Sequence, residues 1–206
     1  MSQQERATRT RNALIQAAAE LFERHGYTRA SLEDISTRAQ VSRGALHFHF
    51  ENKAALADAV EHAAAHAIRE TAESTPPNPT SPLHTLMDLS HRMVHLLHHD
   101  TIVRAGFRLN CDPGPRTPLN LHQQWQAHVH HHVTQAANQQ TLAPHITPHH
   151  LTATIVATTT GLEVLSRTNH NWLTPTPLTH FWQLLLPSIT HPPTNDTHEP
   201  ANTHAS

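Results

Sequence analysis

Residues 26–53 constrain the fold of this chain more than any other part of its sequence. This segment contains two helix starts in close succession. Ser31 is followed three residues later by Asp34, a Ser-x-x-acid spacing typical of a capped helix N-terminus. Ser42 stands before a second helical stretch that opens with small residues. The segment therefore predicts two short helices around a tight turn.

The second short helix has the composition of a DNA recognition helix. Its first residues, Arg43, Gly44 and Ala45, combine one basic side chain with two positions that are nearly free of bulk. A helix start of this kind can enter the major groove end-on and bring side chains to base edges. We therefore interpret residues 26–53 as a helix-turn-helix DNA-binding unit.

The same segment resembles the N-terminal domain of TetR-type transcriptional repressors. The positions that carry the resemblance are Gly26-Tyr27, Ser31, Asp34-Ile35, Val41-Ser42-Arg43-Gly44, Leu46-His47-Phe48-His49-Phe50 and Lys53. The resemblance implies an all-α fold, with an N-terminal three-helix unit and a larger helical domain that binds a ligand and forms a dimer.

The resemblance also implies roles for individual residues at the operator. We expect contacts to DNA phosphates from Ser31, His47, His49 and Lys53. We expect base edges to be read by Ser42, Arg43 and Ala45, at a helix start that Gly44 keeps open.

Two positions depart from the family pattern. Gln40 stands where the turn usually has Gly, so the turn is built either without a left-handed residue or with a strained glutamine. His47 replaces the usual Tyr, whose hydroxyl commonly reaches a phosphate, and it can serve there only as a donor.

The formal net charge of -2 hides an uneven distribution of charge. Residues 1–53 hold eight basic side chains against six carboxylates, and residues beyond 73 hold only five arginines. We expect Arg6, Arg9 and Arg11 to lie in a mobile N-terminal arm that reaches phosphates or a minor groove. The basic footprint therefore lies where the motif predicts it.

Apolar periodicity predicts helices along the chain and no β-strand. The expected helices span residues 8–25 (stopped by Gly26), 32–39, 43–49, 53–73, 83–97, 102–109, 119–139, 147–166 and 177–190, with a Pro-rich break over 74–82 and a turn at 112–115. We divide the chain into a DNA-binding domain (1–53), a ligand-binding and dimerisation domain (54–191) and a disordered tail (192–206).

Scattered C-terminal positions resemble the γ-butyrolactone receptors of antibiotic-producing actinomycetes. They are the run 104–109, Trp125 and the pair Thr160-Gly161. The resemblance implies that Trp125 covers a lactone or furan signal and that Thr160 hydrogen-bonds it. The alternative for Trp125 is an ordinary core aromatic, and Thr158 or Thr159 could take the place of Thr160. We expect apolar pocket walls from Leu86, Met87, Leu109 and Val129.

Histidine is abundant, with 23 copies, of which 20 lie beyond residue 61. His91, His95 and His99 share a helix face, as do His128 and His132, and imidazoles four residues apart can chelate Zn, Cu or Ni. A metal-responsive repressor is therefore an alternative. The clusters have no thiolate partner, so we predict neither a functional metal nor a cofactor.

The other expectations concern chemistry, compartment and assembly. A single cysteine, Cys111, excludes an internal disulfide and suits a reducing cytoplasm, and no stretch resembles a signal peptide or a membrane span. The sequence contains no activated-nucleophile motif and no phosphate-binding loop, so we do not expect an enzyme. Glu163 is an isolated acid that is better suited to a polar contact. Apolar positions on the last two helices predict a homodimer interface: Leu151, Ile155, Leu162, Leu165, Phe181, Trp182, Leu185 and Ile189.

The sequence therefore predicts a dimeric repressor that binds a palindromic operator and is released by a small γ-butyrolactone or furan signal, thereby controlling secondary metabolism. A related protein that responds instead to an antibiotic or its intermediate is a second alternative.

Overall fold

In a computed structural model of the chain, residues 2–78, 81–112 and 119–190 are described. They form nine α-helices: α1 (Gln3–Arg29), α2 (Leu32–Arg38), α3 (Arg43–His49), α4 (Lys53–Glu73), α5 (Pro82–His99), α6 (Thr101–Cys111), α7 (Leu121–Asn138), α8 (Pro148–Ser166) and α9 (Pro175–Ile189). A short 3-10 helix, η1 (His170–Leu173), precedes α9. The predicted all-α class is confirmed. No helix among the described residues has both the length and the apolar character needed to cross a membrane.

The helix-turn-helix unit begins its helices at the predicted caps. Ser31 Oγ accepts a hydrogen bond from the Asp34 amide at 3.1 Å, and Ser42 Oγ accepts one from the Ala45 amide at 3.2 Å. Each bond satisfies an amide that the first turn of a helix leaves without a partner. The bounds of α2, α3 and α4 agree with the prediction to within one residue.

The prediction of a mobile N-terminal arm is wrong. Helix α1 already begins at Gln3, because Ser2 and Glu5 form a reciprocal capping box. Arg6, Arg9 and Arg11 therefore stand on a helix rather than on a mobile segment. The Ser-x-x-Glu spacing that starts this helix is visible in the sequence, and the prediction overlooked it.

Gly26 marks a kink rather than the end of α1. Its φ of 75° and ψ of 169° are not helical, and a further helical turn follows it up to Arg29. A side chain at this position would also lack room, since a Cβ would lie 2.9 Å from Asp112 Oδ2. Only glycine meets both conditions without strain.

The other helices differ from the prediction mainly at their ends. Helices α5 and α9 begin at Pro82 and Pro175, earlier than expected, because proline is well tolerated in the first turn of a helix. The four-residue η1 is too short to give a periodic signal. The residues Pro113–Pro115 of the expected turn and the expected tail lie outside the described residues.

Two core clusters fill the structure, and helix α6 contributes to both. Ala105 and Leu109 pack in the first cluster with α1–α4, whereas Val103 and Phe107 pack in the second with α5, α7, α8 and α9. Positions four residues apart share one helix face, so opposite faces of α6 serve the two clusters. Helix α4 is shared in the same way, and the domain boundary at residue 53 stays a prediction.

The contact between α4 and α6 depends on Gly106. A Cβ on Gly106 would lie 2.6 Å from the Cβ of Ala64 and 2.9 Å from Leu121 Cδ1. Both neighbours belong to the packed interior, where small displacements are costly. The glycine therefore sets how closely the two helices approach.

Gln40 resolves the question that the sequence left open about the turn. Its φ of 55° lies in the left-handed region, so the turn contains a strained glutamine. This conformation lets the amides of Gln40 and Val41 donate to the carbonyls of Thr37 (3.1 Å) and Ser36 (3.0 Å), which closes α2.

We expect Gln40→Gly to stabilise the protein by about 1 kcal/mol, because glycine adopts this backbone conformation without steric cost. Urea unfolding measures the change. Gln40→Ala is the matched control, since it shortens the side chain but keeps the Cβ. Equal effects of the two substitutions would contradict backbone strain as the cause.

Candidate DNA-binding surface and ligand site

Helix α3 is anchored on one side and open on the other. Leu46 and Phe50 are buried and fix the helix to the first core cluster. Arg43, Gly44 and His47 are exposed, and nothing lies within 4 Å of a Cβ built on Gly44. The start of α3 is therefore free of obstruction, as a helix entering a groove requires.

Phe48 is a surface residue to which the sequence analysis gave no role. It is 82% exposed, the largest value among the exposed large hydrophobic side chains. Leu46 and Phe50 occupy the core-facing positions of this turn, so their spacing already predicts that Phe48 points elsewhere. The Phe48 ring lies 5.2 Å from the His49 ring, and an exposed aromatic ring on this helix can offer an apolar contact to thymine methyl groups.

Lys53 is engaged inside the protein. Its Nζ donates to the carbonyl oxygens of Tyr27 at 2.9 Å, Ala30 at 3.0 Å and Thr28 at 3.4 Å. The ammonium also lies 4.5 Å from the centre of the Tyr27 ring. The cation thus satisfies the carbonyl end of α1, where positive charge is favourable. The expected phosphate contact of Lys53 stays a prediction.

The hydroxyl of Ser31 is also engaged within the protein. It donates to Asp34 Oδ2 at 2.6 Å while accepting from the Asp34 amide. Of the remaining predicted DNA contacts, His47 is exposed, whereas Ala45 and His49 are half-buried. The structure thus brings Ser42, Arg43, Gly44 and His47 to an open surface.

Trp125 lies inside the second core cluster, with 3% of its surface exposed. Its indole Nε1 donates to Thr159 Oγ1 at 2.8 Å, and Thr159 is equally buried. Thr160, the residue that the resemblance implied, is half-buried instead. Of the three candidate threonines, Thr159 is therefore the one that faces Trp125.

Three of the four expected wall residues belong to the core cluster that contains Trp125, or pack against it. Leu86 and Val129 are buried members of the same cluster, and Met87 packs against it. Leu109 lies in the first cluster instead, because it shares the face of α6 that packs against α1. The structure therefore does not bring Leu109 to the tryptophan.

A chain of polar contacts joins the tryptophan-bearing helix to α4. The amide of Leu121, at the start of α7, donates to Asn110 Oδ1 at 2.7 Å. The Asn110 side-chain amide in turn donates to Glu61 Oε1 on α4, and Glu61 is buried. Buried polar groups of this kind hold a fixed geometry because a lost partner is costly.

A second set of contacts joins α6 to α1. Arg104 forms an ion pair with Glu23, and Arg108 donates to the Glu23 carbonyl oxygen. The carboxylate of Asp112 accepts a hydrogen bond from the Tyr27 amide at 2.8 Å, just beyond the Gly26 kink. Helix α1 of the DNA-binding unit is therefore attached directly to α6.

The histidines of α5 pack against each other and against η1. The ring centres of His95 and His99 are 4.2 Å apart, and those of His98 and His170 are 4.4 Å apart. Burial and the neighbouring imidazoles lower the pKa of His98. In the described ranges, no group of three or more His, Cys, Asp or Glu side chains is arranged to hold a metal ion.

Six of the eight predicted dimer positions divide into a buried and an exposed group, and the other two, Phe181 and Leu185, are partly buried against the second core cluster. Leu151, Ile155, Leu162, Trp182 and Ile189 are buried within the chain's own core. The exposed apolar side chains are Leu165, as predicted, together with Val164, Trp172 and Leu184. Sequence periodicity could not separate the two groups because both faces of α8 are apolar.

Glu163 has a structural partner. Its carboxylate is almost completely buried and accepts two hydrogen bonds from Arg167, from Nε and Nη2, each at 3.0 Å. This bidentate geometry compensates the buried charge.

A helix-turn-helix unit joined to a larger helical body is the architecture of a DNA-binding regulator. Residues 14–60 match the family model described as bacterial regulatory proteins, tetR family. Over 197 residues the chain is 30% identical to the A-factor receptor protein of Streptomyces griseus, in an alignment covering 93% of this chain and 68% of that protein. The chain therefore belongs to the TetR family, and its relatives are transcriptional regulators rather than enzymes.

Solved structures agree with this assignment. A γ-butyrolactone receptor described as an ArpA-like protein superposes with a TM-score of 0.79 at 30% identity, with 90% of each chain covered. CprB from Streptomyces coelicolor, in complex with its biological operator sequence, gives 0.77 at 30% identity and the same coverage. The chain is thus a ligand-responsive DNA-binding repressor similar to γ-butyrolactone receptors.

We expect Lys53→Met to destabilise the protein by about 1–3 kcal/mol, because the carbonyl end of α1 loses a charged donor while the apolar stem is kept. Urea unfolding measures the loss. Arg29→Met removes an exposed charge from the same last turn and serves as the control. A loss of similar size in both variants would contradict the capping role.

Proposed function

We propose that this protein is a homodimeric repressor that acts in the cytoplasm on a palindromic operator and is released by a small γ-butyrolactone- or furan-type signal. We further propose that its target genes belong to secondary metabolism. The observation that carries the proposal is the similarity to the A-factor receptor protein, which extends beyond the DNA-binding unit over 93% of this chain. A match limited to the helix-turn-helix would support DNA binding alone.

At the operator, the start of α3 enters the major groove. Arg43 pairs with a guanine, Ser42 and Ala45 contact neighbouring base edges, and Gly44 permits close approach. Phe48, which is 82% exposed, contributes apolar contact beside them. His47 and His49, with Ser31, lie at phosphates and fix the register.

A dimer supplies the second recognition helix that a palindrome requires. The exposed apolar side chains Val164 and Leu165 of α8 and Leu184 of α9 favour an interface built from these two helices. Leu184 is the most exposed of these three side chains, at 78%. The paired helices would form a four-helix bundle across a two-fold axis.

The signal binds beside Trp125, between the residues that pack around it. Leu86, Met87 and Val129 line the apolar part of this site. The indole N–H of Trp125, which now donates to Thr159 Oγ1, is the donor for the ligand's carbonyl oxygen. Binding therefore exchanges an internal hydrogen bond for one to the ligand.

Movement of α7 reaches the DNA-binding unit through α6 and α4. Asn110 bonds both the Leu121 amide and Glu61, so a shift of α7 acts on both helices. Helix α4 begins at Lys53, whose ammonium holds the end of α1. A ligand that favours one arrangement of these helices must lower operator affinity by the same factor by which operator lowers ligand affinity.

We expect Arg43→Ala to weaken specific operator binding by about 1–3 kcal/mol and to relax the preference at one base pair. Electrophoretic mobility shifts with the operator and with single-base variants measure both effects. Arg69→Ala removes an exposed arginine from α4 and serves as the control for charge. Unchanged affinity of the Arg43 variant would exclude a base contact by this residue.

We expect Trp125→Phe to retain operator binding but to lose release by a synthetic γ-butyrolactone, because it removes the donor for the ligand's carbonyl oxygen. We expect Thr159→Val to be released at a lower ligand concentration, because it removes the internal acceptor that the ligand must displace. Ligand-induced release in a mobility-shift assay, with Zn²⁺ and Ni²⁺ as comparison additions, measures the response. Thr160→Val is the matched control and should behave as the unmodified protein. Normal release of the Trp125 variant would rule out the proposed donor.

A further inference from the structure

A cavity lies between α1, α6 and the end of α8, and Trp125 is not among the residues that line it. Its volume is about 540 Å³, within the range of about 300–1,000 Å³ that small-molecule sites occupy. The residues that line it are Glu23, Arg24, Arg104, Arg108, Glu163, Ser166, Arg167, Thr168 and His170. None of them belongs to the proposed lactone site.

The lining of this cavity is rich in positive charge. Four arginines face two glutamates, and both glutamates already have cationic partners. Glu23 pairs with Arg104, and Glu163 accepts both of its hydrogen bonds from Arg167. The two pairs balance each other, and Arg24 and Arg108 are the other two cations of the lining.

Arg24 and Arg108 are differently constrained. Arg24 is exposed, and among the described residues it makes no hydrogen bond or ion pair. Arg108 donates through Nη1 to the Glu23 carbonyl oxygen, while its Nη2 and the carboxylate of Asp112 both lie against Gly26. One guanidinium is thus positioned by the protein and the other is available for a ligand.

We propose that this cavity is a second effector site for a small organic anion carrying a carboxylate or phosphate group. Guanidinium groups bind both kinds of anion through paired, charge-assisted hydrogen bonds. Arg24 and Arg108 bind the anionic group, and the hydroxyls of Ser166 and Thr168 with the imidazole of His170 supply polar contacts to the rest of the molecule. An apolar lactone, in contrast, would leave these polar groups without partners.

The position of the cavity gives the site a regulatory consequence, which rests on the proposed repressor function. Arg24 stands on α1 of the DNA-binding unit, whereas Arg167 follows α8 of the larger domain. An anion held between them favours one separation of the two parts. Operator affinity must then change when the site is filled.

The binding test uses the full-length protein with inorganic phosphate and succinate as probes, at an ionic strength kept constant with sodium chloride. We expect saturable binding of at least one probe by isothermal titration calorimetry. Arg24→Gln should weaken it by about tenfold, the effect of losing one charge-assisted contact. Arg69→Gln, which removes an exposed arginine outside the cavity, should leave it unchanged.

Absence of saturable binding for both probes would overturn the proposal. Equal weakening in the Arg24 and Arg69 variants would also overturn it, because it would indicate general charge screening. Arg108→Gln provides a second variant, expected to weaken binding in the same direction, and retention of the native circular dichroism spectrum verifies that each variant is folded.

A mobility-shift assay at constant ionic strength tests the link to DNA. The bound probe should change operator affinity in the unmodified protein and not in Arg24→Gln. Anion binding with unchanged operator affinity would support the site and overturn its regulatory role. Lack of any operator binding would count against the repressor function instead, so the two failures are distinguishable.

Discussion

The close packing of α6 against α1 and α4 is the constraint on which the rest of the structure depends. Gly106 lets α6 approach Ala64 at a distance that no side chain would permit. One face of α6 then completes the core of the DNA-binding unit, and the opposite face completes the core around Trp125. Because one short helix serves two cores, neither part can rearrange without altering the other.

Polar contacts from α6 supplement this apolar packing and link the helix to specific neighbours. Asn110 links α6 to α7 and α4, while Arg104 and Arg108 link it to the last turns of α1. These contacts lie at the two ends of a continuous path from the tryptophan to the helix-turn-helix. The anionic effector site proposed above adjoins the α1 end of the same path. Both proposed ligands, the lactone and the anion, would therefore act through α6.

Local signals made much of the fold predictable. The caps Ser31 and Ser42 act within a few residues, so they fixed the starts of α2 and α3 from sequence alone. The exposed start of the recognition helix followed from the same signals. The bounds of α4 to α9 followed to within a few residues from apolar periodicity and the positions of proline.

Long-range contacts were not predictable in the same way. Lys53 bonds carbonyls more than twenty residues away, and no local pattern shows this. The choice of Thr159 over Thr160 depends on how α8 is rotated against α7, which a run of three threonines does not specify. Leu109 lay on the opposite face of α6 from the one expected, because both faces of that helix are apolar.

The hydrogen bond between Trp125 and Thr159 determines what kind of molecule can compete for the tryptophan. The indole hydrogen already has a partner, and both residues of the pair are buried. A ligand that displaces Thr159 must supply an acceptor oxygen of its own. Otherwise the indole N–H of Trp125 is left without a partner, at a cost of about 1–3 kcal/mol. At the proposed site, a correctly placed carbonyl oxygen would therefore distinguish an inducer more sharply than the length of its hydrocarbon tail.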